Sequence, residues 1–267
     1  MAVSFKGAHF PKDVILTCVR WYVAYPLSDR HVEVLMQERG MAVDHATVDR
    51  WVVQYSPLLE AAFHRRKRPL WLSWRLDETD IRVKSAWTYL YRAVDKHGHT
   101  IDVLLMEQRD EPAATHFLTK AICRCGVPEM MTIDGREANA AAIRGDNESH
   151  GTSMIIRQVK YVNHVVEQDH RAVKRVTRTM LGCKSFEAAQ CPLTGIELIP
   201  MRRKDQREEG AEQGLTPAQQ FYSLAASSPT EQGFPPPYPK IATHPYRLPV
   251  TAGLIPGARG AILSLLI

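Results

Sequence analysis

Three acidic residues, far apart in the sequence, stand where a mixed β-sheet would bring them together. Asp77 lies within a predicted strand, Asp134 follows a short apolar strand, and Glu167 lies near the start of a predicted helix. Hard divalent cations such as Mg²⁺ bind carboxylate oxygens together with water and substrate phosphate. Two such ions, roughly 3.5–4 Å apart, can clamp the attacking and leaving oxygens of an in-line displacement at phosphorus. The three carboxylates are therefore candidate ligands of a phosphoryl-transfer site.

Each of these acids also has a purely structural interpretation. Asp134 precedes Gly135 and could simply form a turn, and Glu167 could be stabilised by the dipole of its helix. Asp77 is different, because a carboxylate in the middle of a strand is costly to bury without a partner. A metal ion would supply that partner, but residue types and spacing leave both interpretations open.

The segment that carries these acids has the predicted order β-β-β-α-β-α-β-α. Alternating apolar and polar residues, short turns and β-branched or aromatic side chains predict strands at 74–83, 87–94, 100–106, 130–133 and 155–161. Apolar residues at helical spacing predict helices at 112–125, 138–143 and 163–180. An antiparallel meander followed by two βα units gives an α/β fold, a mixed sheet with flanking helices, in the ribonuclease-H-like order. The first and fourth strands of such a sheet are neighbours, which would bring Asp77 and Asp134 together.

The residues before the sheet, 1–68, are predicted to be helical throughout. Ser28 and Asp44 are suitable N-caps, and Gly40 would end the second helix in the left-handed conformation. A helix, a short turn and a second helix form the pattern of a helix-turn-helix. A small helical bundle with no role in DNA binding has the same spacing, so this pattern also leaves two interpretations open.

The composition is that of a globular protein with a mild basic excess. The chain has 267 residues, 45% of them hydrophobic and 24% charged, and a formal net charge of +5. These values exclude whole-chain disorder and fibrous classes. The apolar run at 261–267 is too short to span a membrane, and residues 1–12 lack a signal-peptide core. The 5 scattered cysteines do not form a disulfide framework, so we expect reduced cysteines and a cytoplasmic protein.

Several motifs, in order along the chain, carry a resemblance to a known family. The N-terminal motifs include His9-Phe-Pro-Lys-Asp-Val-Ile-Leu16 and Arg50-Trp-Val52. The motifs around the three acids are Trp74-Arg-Leu-Asp-Glu-Thr79, Thr132-Ile-Asp134 and Val166-Glu-Gln-Asp-His-Arg171. With Tyr89-Leu-Tyr-Arg-Ala-Val-Asp95 and Gly195-Ile-Glu197, they resemble the IS-six family of bacterial insertion-sequence transposases over residues 5–200.

The resemblance implies a DDE transposase. Its ribonuclease-H-like catalytic core would span residues 69–200, behind a helix-turn-helix DNA-binding module at 1–68. Asp77, Asp134 and Glu167 would be the catalytic residues and the ligands of two Mg²⁺ ions, for which Mn²⁺ could substitute. The enzyme would nick DNA with a metal-activated water and join the freed 3′-hydroxyl to a target strand. Residues 201–267, charged and then rich in Pro and Gly, are expected to be poorly ordered.

The expected partners are the terminal inverted repeats of the element and its target DNA, with a homo-oligomer in the synaptic complex at the bacterial nucleoid. Residues 157–184 contain seven basic and two acidic residues, a local charge of 7 − 2 = +5 that suits a DNA substrate. The family places a basic residue two helical turns after the glutamate, and Lys174 stands there (174 − 167 = 7). The predicted DNA contacts are Lys174, Arg171 and Arg175 beside the acids, and His45, Thr47 and Arg50 in the helix-turn-helix. Lys174 could also be a solvated helix charge, and Arg50 a surface ion-pair partner.

Several positions depart from the family pattern. Asp80 stands where an aromatic residue is usual, Thr179 replaces a proline and Cys183 an aromatic residue. Pro192 is expected to interrupt a helix, because proline in a helix interior costs ~3 kcal/mol. The interval between the second and third acids is short, and we expect the loss in a loop at 145–153.

These departures leave three functions open. The first is an active transposase, the second a catalytically impaired remnant that only binds DNA or represses related elements, and the third a nuclease that cuts without strand transfer. Asp80 is the departure nearest the chemistry. Because side chains alternate between the faces of a strand, Asp80 is expected to face away from Asp77 and outside the metal site.

Overall fold

The computed structural model describes residues 3–65, 67–83, 86–159, 164–177, 186–204 and 215–225. The helices are α1 (Lys12–Ala24), α2 (Asp29–Gln37), α3 (His45–His64), α4 (Glu111–Cys125), α5 (Glu137–His150), α6 (His164–Thr177), α7 (Phe186–Arg203) and α8 (Pro217–Ser223). The strands are β1 (Ser73–Val83), β2 (Ala86–Asp95), β3 (Thr100–Met106), β4 (Met130–Ile133) and β5 (Ile155–Gln158). Among these, no helix is both long and apolar enough to cross a bilayer.

The described strands form one mixed sheet in the order β3-β2-β1-β4-β5. β1 pairs antiparallel with β2, and β2 pairs antiparallel with β3. β4 runs parallel to β1, and β5 runs parallel to β4. This confirms the predicted α/β class and the ribonuclease-H-like arrangement, in which β1 and β4 are neighbours.

The two faces of the sheet are covered by different helices. Trp74 and Leu76 of β1 point to the face covered by α4 and α5, where they pack with Phe117 in one hydrophobic cluster. Ile81 and Val83 point to the opposite face and belong to a second cluster. That second cluster contains side chains of α1, α2, α3, α6, α7 and α8. The helices before the sheet therefore share a core with the helices after it.

Local signals at the N-terminal helices agree with the structure. The Ser28 side chain accepts a hydrogen bond from the His31 backbone N–H and forms a capping box, and Asp44 caps α3 through the Thr47 N–H. Gly40 has a φ of +72° in the turn that follows α2. The helix-turn-helix interpretation of this segment, and the boundary at residue 68, stay predictions.

The connection between β4 and β5 contains a longer helix than the sequence predicts. The predicted helix at 138–143 and loop at 145–153 are corrected by α5, which continues to His150 and ends before Gly151 at φ +65°. Polar residues such as Asn147 resemble a loop in the sequence. In the structure, the Asn147 Oδ1 accepts the Met154 backbone N–H at 2.9 Å, so the end of α5 is held to the start of β5.

Helix α7 runs through both of its prolines. The expectation that Pro192 interrupts this helix is wrong, since Pro192 and Pro200 both lie inside α7. Proline removes one backbone hydrogen bond, but most helical stability in proteins comes from tertiary packing. Leu193 and Ile196, next to the first proline, are buried in the core shared with α3.

Part of the predicted tail is folded. Residues 215–225 contain α8, whose Phe221 is 1% exposed and packs in the same cluster as α1 and α7. The Tyr222 hydroxyl lies 3.3 Å from the Thr17 hydroxyl of α1. The expectation of poor order after residue 200 is thus wrong for residues 215–225, because their apolar side chains pack against α1 and α7. Residues 205–214 and 226–267 lie outside the described part of the chain.

Gly195 lies where α7 approaches α1 and α3. A Cβ atom at residue 195 would stand 2.7 Å from both Ser56 Oγ and Val23 Cγ1. We expect Gly195→Ala to lower the free energy of unfolding by about 1–3 kcal/mol, because the added methyl group overpacks this contact. Urea denaturation of the purified chain measures the change.

The matched control for this substitution is Gly145→Ala, also within a helix. A Cβ at residue 145 meets nothing within 4 Å, so alanine there should stabilise by roughly 0.5–1 kcal/mol. A Gly195→Ala protein as stable as the parent would contradict the close packing of α7 against α1 and α3.

Candidate active site on β1 and at the carboxyl end of β4

The sheet places two of the three predicted acids next to each other. The parallel register pairs Arg75 with Thr132, and Asp77 and Asp134 each follow that pair by two residues, Asp134 just after the end of β4. Both carboxylates are partly exposed, at the end of the sheet where β4 stops.

The third predicted acid, Glu167, lies in α6, in the helix that follows β5. Its side chain is outside what the structure describes, but its neighbour one turn on, His170, is not. His170 Nδ1 lies 3.6 Å from Asp77 Oδ2. The backbone of residue 167 therefore stands within one helical turn of a contact with the first acid.

His170 is a neutral group at this contact. Burial, with additional effects of Arg92 and Lys174, lowers the pKa of His170 to about 3. A histidine deprotonated at neutral pH does not neutralise Asp77.

Arg136 lies across the end of the sheet and links two carboxylates. Its Nε donates to Asp134 Oδ2 at 2.7 Å and lies 2.9 Å from Glu78 Oε1. The buried Glu78 also accepts a hydrogen bond from Asn139 Nδ2 at 3.2 Å, and Arg109 Nε lies 3.6 Å from it. Burial raises the pKa of both Glu78 and Asp134, and Arg109 opposes that rise. The loop that carries the second acid is therefore fixed to β1 by ion pairs.

Sequence analysis missed the role of Glu78, although the signal was present. Trp74 and Leu76 are buried on one face of β1, and strand alternation puts residue 78 on that same face. A carboxylate on a buried face needs partners, and here Arg136 and Asn139 supply them.

Asp80 lies on the face of β1 opposite Asp77, as predicted. It shares Arg109 with Glu78, at 3.1 Å from Asp80 Oδ1, and its side chain is 51% exposed. The Asp80 carboxylate is exposed to solvent and paired with Arg109. This departure from the family pattern therefore does not add a third acid to the candidate metal site.

The substitution Asp80→Asn should leave both stability and metal binding almost unchanged. An exposed ion pair contributes about 0–1 kcal/mol, so the loss of the Arg109 contact should change the free energy of unfolding by no more than that. Thermal denaturation and a Mn²⁺ titration check the two parts. Tighter or weaker Mn²⁺ binding by more than a factor of two, with no change in stability, would put Asp80 in the active site.

The predicted DNA contacts occupy two exposed surfaces. Arg171, Lys174 and Arg175 are exposed on α6, the helix that carries the third acid. Their side chains therefore form a basic surface on the helix that reaches Asp77.

At the start of α3, the predicted contacts make local bonds. Arg50 Nη2 donates to Thr47 Oγ1 at 2.8 Å, and Thr47 Oγ1 donates to Asp44 Oδ2 at 2.8 Å. His45 Nδ1 lies 3.0 Å from Glu33 Oε2 of α2. The structure thus brings His45, Thr47 and Arg50 together at the N-terminal end of α3.

A different group of side chains has metal-ligand spacing among the residues that the structure describes. Glu60 and His64 of α3 and Asp102 of β3 offer ligand atoms within 4.8 Å of one another. Arg124 Nη1 lies 2.8 Å from Glu60 and 3.1 Å from Asp102, and Lys120 lies 3.1 Å from Asp102. Burial raises the pKa of Glu60, but His64 and Arg124 outweigh it and lower that pKa to about 2. Two cations already neutralise this group, which makes it an ion-pair junction between α3, β3 and α4.

Comparison with known proteins adds a family match. A family model described as a DDE domain, of IS240-type transposases, matches residues 71–206. The chain is 36% identical over 231 residues to the transposase for insertion sequence-like element IS431mec of Staphylococcus aureus strain Mu50, which covers 84% of this chain and 99% of that protein. It is 35% identical over 231 residues to the transposase for insertion sequence element IS257 in transposon Tn4003 of Staphylococcus aureus, with the same coverage of 84% and 99%.

The chain also matches solved structures of integrase catalytic core domains. The HTLV-2 integrase catalytic core domain in complex with magnesium, in its trimeric form, has a TM-score of 0.40 and 17% identity, over 56% of this chain and 96% of that one. The catalytic core domain of BIV integrase has a TM-score of 0.38 and 19% identity, over 55% of this chain and 91% of that one.

Proposed function

Because the chain belongs to the IS-six family of insertion-sequence transposases, we propose that it binds the terminal inverted repeats of its element and uses Asp77, Asp134 and Glu167 to cut and rejoin DNA. The observation that supports this proposal is the parallel pairing of β1 with β4, the two strands whose segments carry Asp77 and Asp134, together with the contact of α6 with Asp77. The ribonuclease-H-like order of the strands would not by itself support this function, because one fold can host many functions.

The donor set fits hard divalent ions. Two neighbouring carboxylates, partly exposed at the end of the sheet, offer only oxygen ligands, which Mg²⁺ and Mn²⁺ favour. Asp77, Asp134 and Glu167 would hold two such ions, which supply a nucleophile and stabilise charge at the phosphorus.

The remaining residues of the site bind and orient the substrate. Lys174, with Arg171 and Arg175, lies exposed on α6 and is proposed to neutralise DNA phosphates beside the carboxylates. Arg136 keeps the Asp134 loop in place through ion pairs with Asp134 and with the buried Glu78. These contacts fix the second acid before substrate arrives, which lowers the cost of orienting it in the reaction.

End recognition is assigned to the helix-turn-helix at 1–68. We propose that His45, Thr47 and Arg50, at the exposed N-terminal end of α3, contact the terminal repeat, since a helix N-terminus and a guanidinium both favour phosphate and base edges. Two ends must meet for transposition, so a homo-oligomer on the bacterial nucleoid is the proposed working form.

Two of the departures from the family pattern do not argue for an inactive remnant. Asp80 faces away from Asp77 and is paired with Arg109, and Pro192 lies within a continuous α7. Thr179 and Cys183 lie outside the described residues. The structure therefore favours the active transposase over the remnant.

The test is a reaction of the purified full chain with labelled end DNA and Mg²⁺ or Mn²⁺, scored separately for nicking and for strand joining. We expect both products with end DNA, neither with EDTA, and little of either with a scrambled end sequence. End binding without nicking would make the chain a DNA-binding remnant. Nicking without joining would make it a nuclease.

A further inference from the structure

Arg92 of β2 is a charged residue placed where charges are rarely found. Its side chain is 0% exposed, and it stands directly across from Asp77 in the antiparallel register of β1 and β2. Paired residues of neighbouring strands point to the same face, so Arg92 lies beneath the face that carries the first acid.

The guanidinium joins two helices that arrive from different parts of the chain. Its Nη2 donates to Glu197 of α7, and its Nη1 donates to Asp169 of α6 at 3.4 Å. Lys204, just after α7, also contacts Asp169 and donates to the Gly98 carbonyl at 2.6 Å. Two basic and two acidic side chains thus form one largely buried group, which we call the buried quartet: Arg92, Asp169, Glu197 and Lys204.

The buried quartet is poorly suited to stability alone. Among the described residues, Arg92 Nε and Glu197 Oε2 are buried and have no hydrogen-bond partner. Replacing a buried ion pair by apolar residues of similar size is often neutral or stabilising. The best-attested use of such a buried ion pair is to favour one arrangement of helices and strands over alternative arrangements.

The arrangement that the quartet fixes includes the active site. Asp169 lies two residues after Glu167 and next to His170, which contacts Asp77. Arg92 therefore contacts α6 at Asp169, two residues after the third acid, Glu167. On β2, Arg92 is itself paired with the first acid, Asp77. A slide or rotation of α6 would break the quartet and move Glu167 together with it.

We propose that Arg92 is a positioning residue of the strand-transfer reaction, which sets α6 against the sheet so that Glu167 meets Asp77 and Asp134. This rests on the proposed function, since it assumes that the three acids share metal ions. Only an arginine suits the task, because its planar fork can bond two carboxylates on two helices at once, whereas a lysine is a point charge.

The experiment separates positioning from stability with the double variant Arg92→Met with Glu197→Met. It removes one positive and one negative charge together and leaves Asp169 paired with Lys204. We expect its melting temperature to stay within about 3 °C of the parent. Its affinity for Mn²⁺, followed by the loss of the free-ion EPR signal, should fall about 10- to 100-fold, the usual effect of losing a residue that orients ligands. Nicking should fall with it.

A matched control removes a similar ion pair elsewhere. The double variant Arg124→Met with Glu60→Met also deletes one pair and leaves an acid, Asp102, with a lysine, Lys120. It lies in the junction between α3 and α4, so Mn²⁺ affinity and nicking should stay at the parent level.

A folded Arg92→Met/Glu197→Met protein with parent-level Mn²⁺ affinity and nicking would overturn the proposal. Should that variant not fold, Arg92→Lys decides: it keeps the charge, and we expect weaker Mn²⁺ binding in a folded protein, while parent-level affinity would overturn the proposal equally. The single variant Asp77→Asn identifies the other failure. If Asp77→Asn still binds Mn²⁺ as the parent does, the proposed function itself is wrong, whatever Arg92 does.

Discussion

Asp77→Asn and, separately, Asp134→Asn will each lower the rate of strand nicking by about three orders of magnitude, while the affinity for end DNA stays within a factor of two. Asparagine keeps the size of the side chain but removes the charge that holds a divalent ion, and metal stabilisation of several kcal/mol corresponds to a loss of this order. End binding should persist because it is assigned to α3 and not to the carboxylates. Nicking rates and gel-shift titrations with the same labelled end DNA measure the two quantities.

The control for this result stands on the same strand. Asp80→Asn removes the same charge three residues away, from the face of β1 that Asp77 does not share. It should nick DNA at the parent rate. An Asp77→Asn protein that nicks as fast as Asp80→Asn would remove the carboxylates from the mechanism.

A chain cut after residue 68 will lose cooperative folding, although the predicted domain boundary lies there. The buried side chains of α1 and α3 share one cluster with α7 and α8, including Ile196 and Phe221. Without residues 186–225 these apolar faces would meet water, at a cost of about 25 cal/mol for each Å² exposed. We expect a shallow, non-cooperative loss of helical signal on heating, and no specific binding to end DNA.

Circular dichroism of the fragment 1–68 measures this, with a chain ending at residue 225 as the control. The longer chain keeps α7 and α8 and should melt cooperatively. A sharp melting transition in the short fragment would show that helices α1–α3 fold by themselves, and that their contacts with α7 are a docking surface between two independent units.

The sequence predicts those structural features of the protein that are determined by residues close to one another in the chain. The N-caps Ser28 and Asp44 and the paired positions of Asp77 and Asp134 follow from local patterns and from the few ways in which a meander and βα units can join. The burial of Arg92 does not follow, because strand alternation cannot say whether an arginine meets water or two acids. Its partner Glu197 lies 105 residues away.

The same limit explains the errors after residue 185. Pro192 and the short apolar segment around Phe221 resemble a helix break and a loose tail when only their neighbours are considered. Their structure depends on α1 and α3, more than 120 residues earlier. Contacts of such sequence separation leave no periodic signal in either segment.

The shared core also sets the order in which the protein can mature on the ribosome. α3 ends at His64 and α7 begins at Phe186, so 122 residues (186 − 64) must be synthesised before the partner of the first helices exists. At ~5–20 residues per second, this is a delay of about 6–24 s. During that time the apolar faces of α1 and α3 are exposed, and the proposed DNA-reading helix lacks its support. If α3 reads the terminal repeat as proposed, ribosome-bound chains halted before and after residue 225 should differ in end binding.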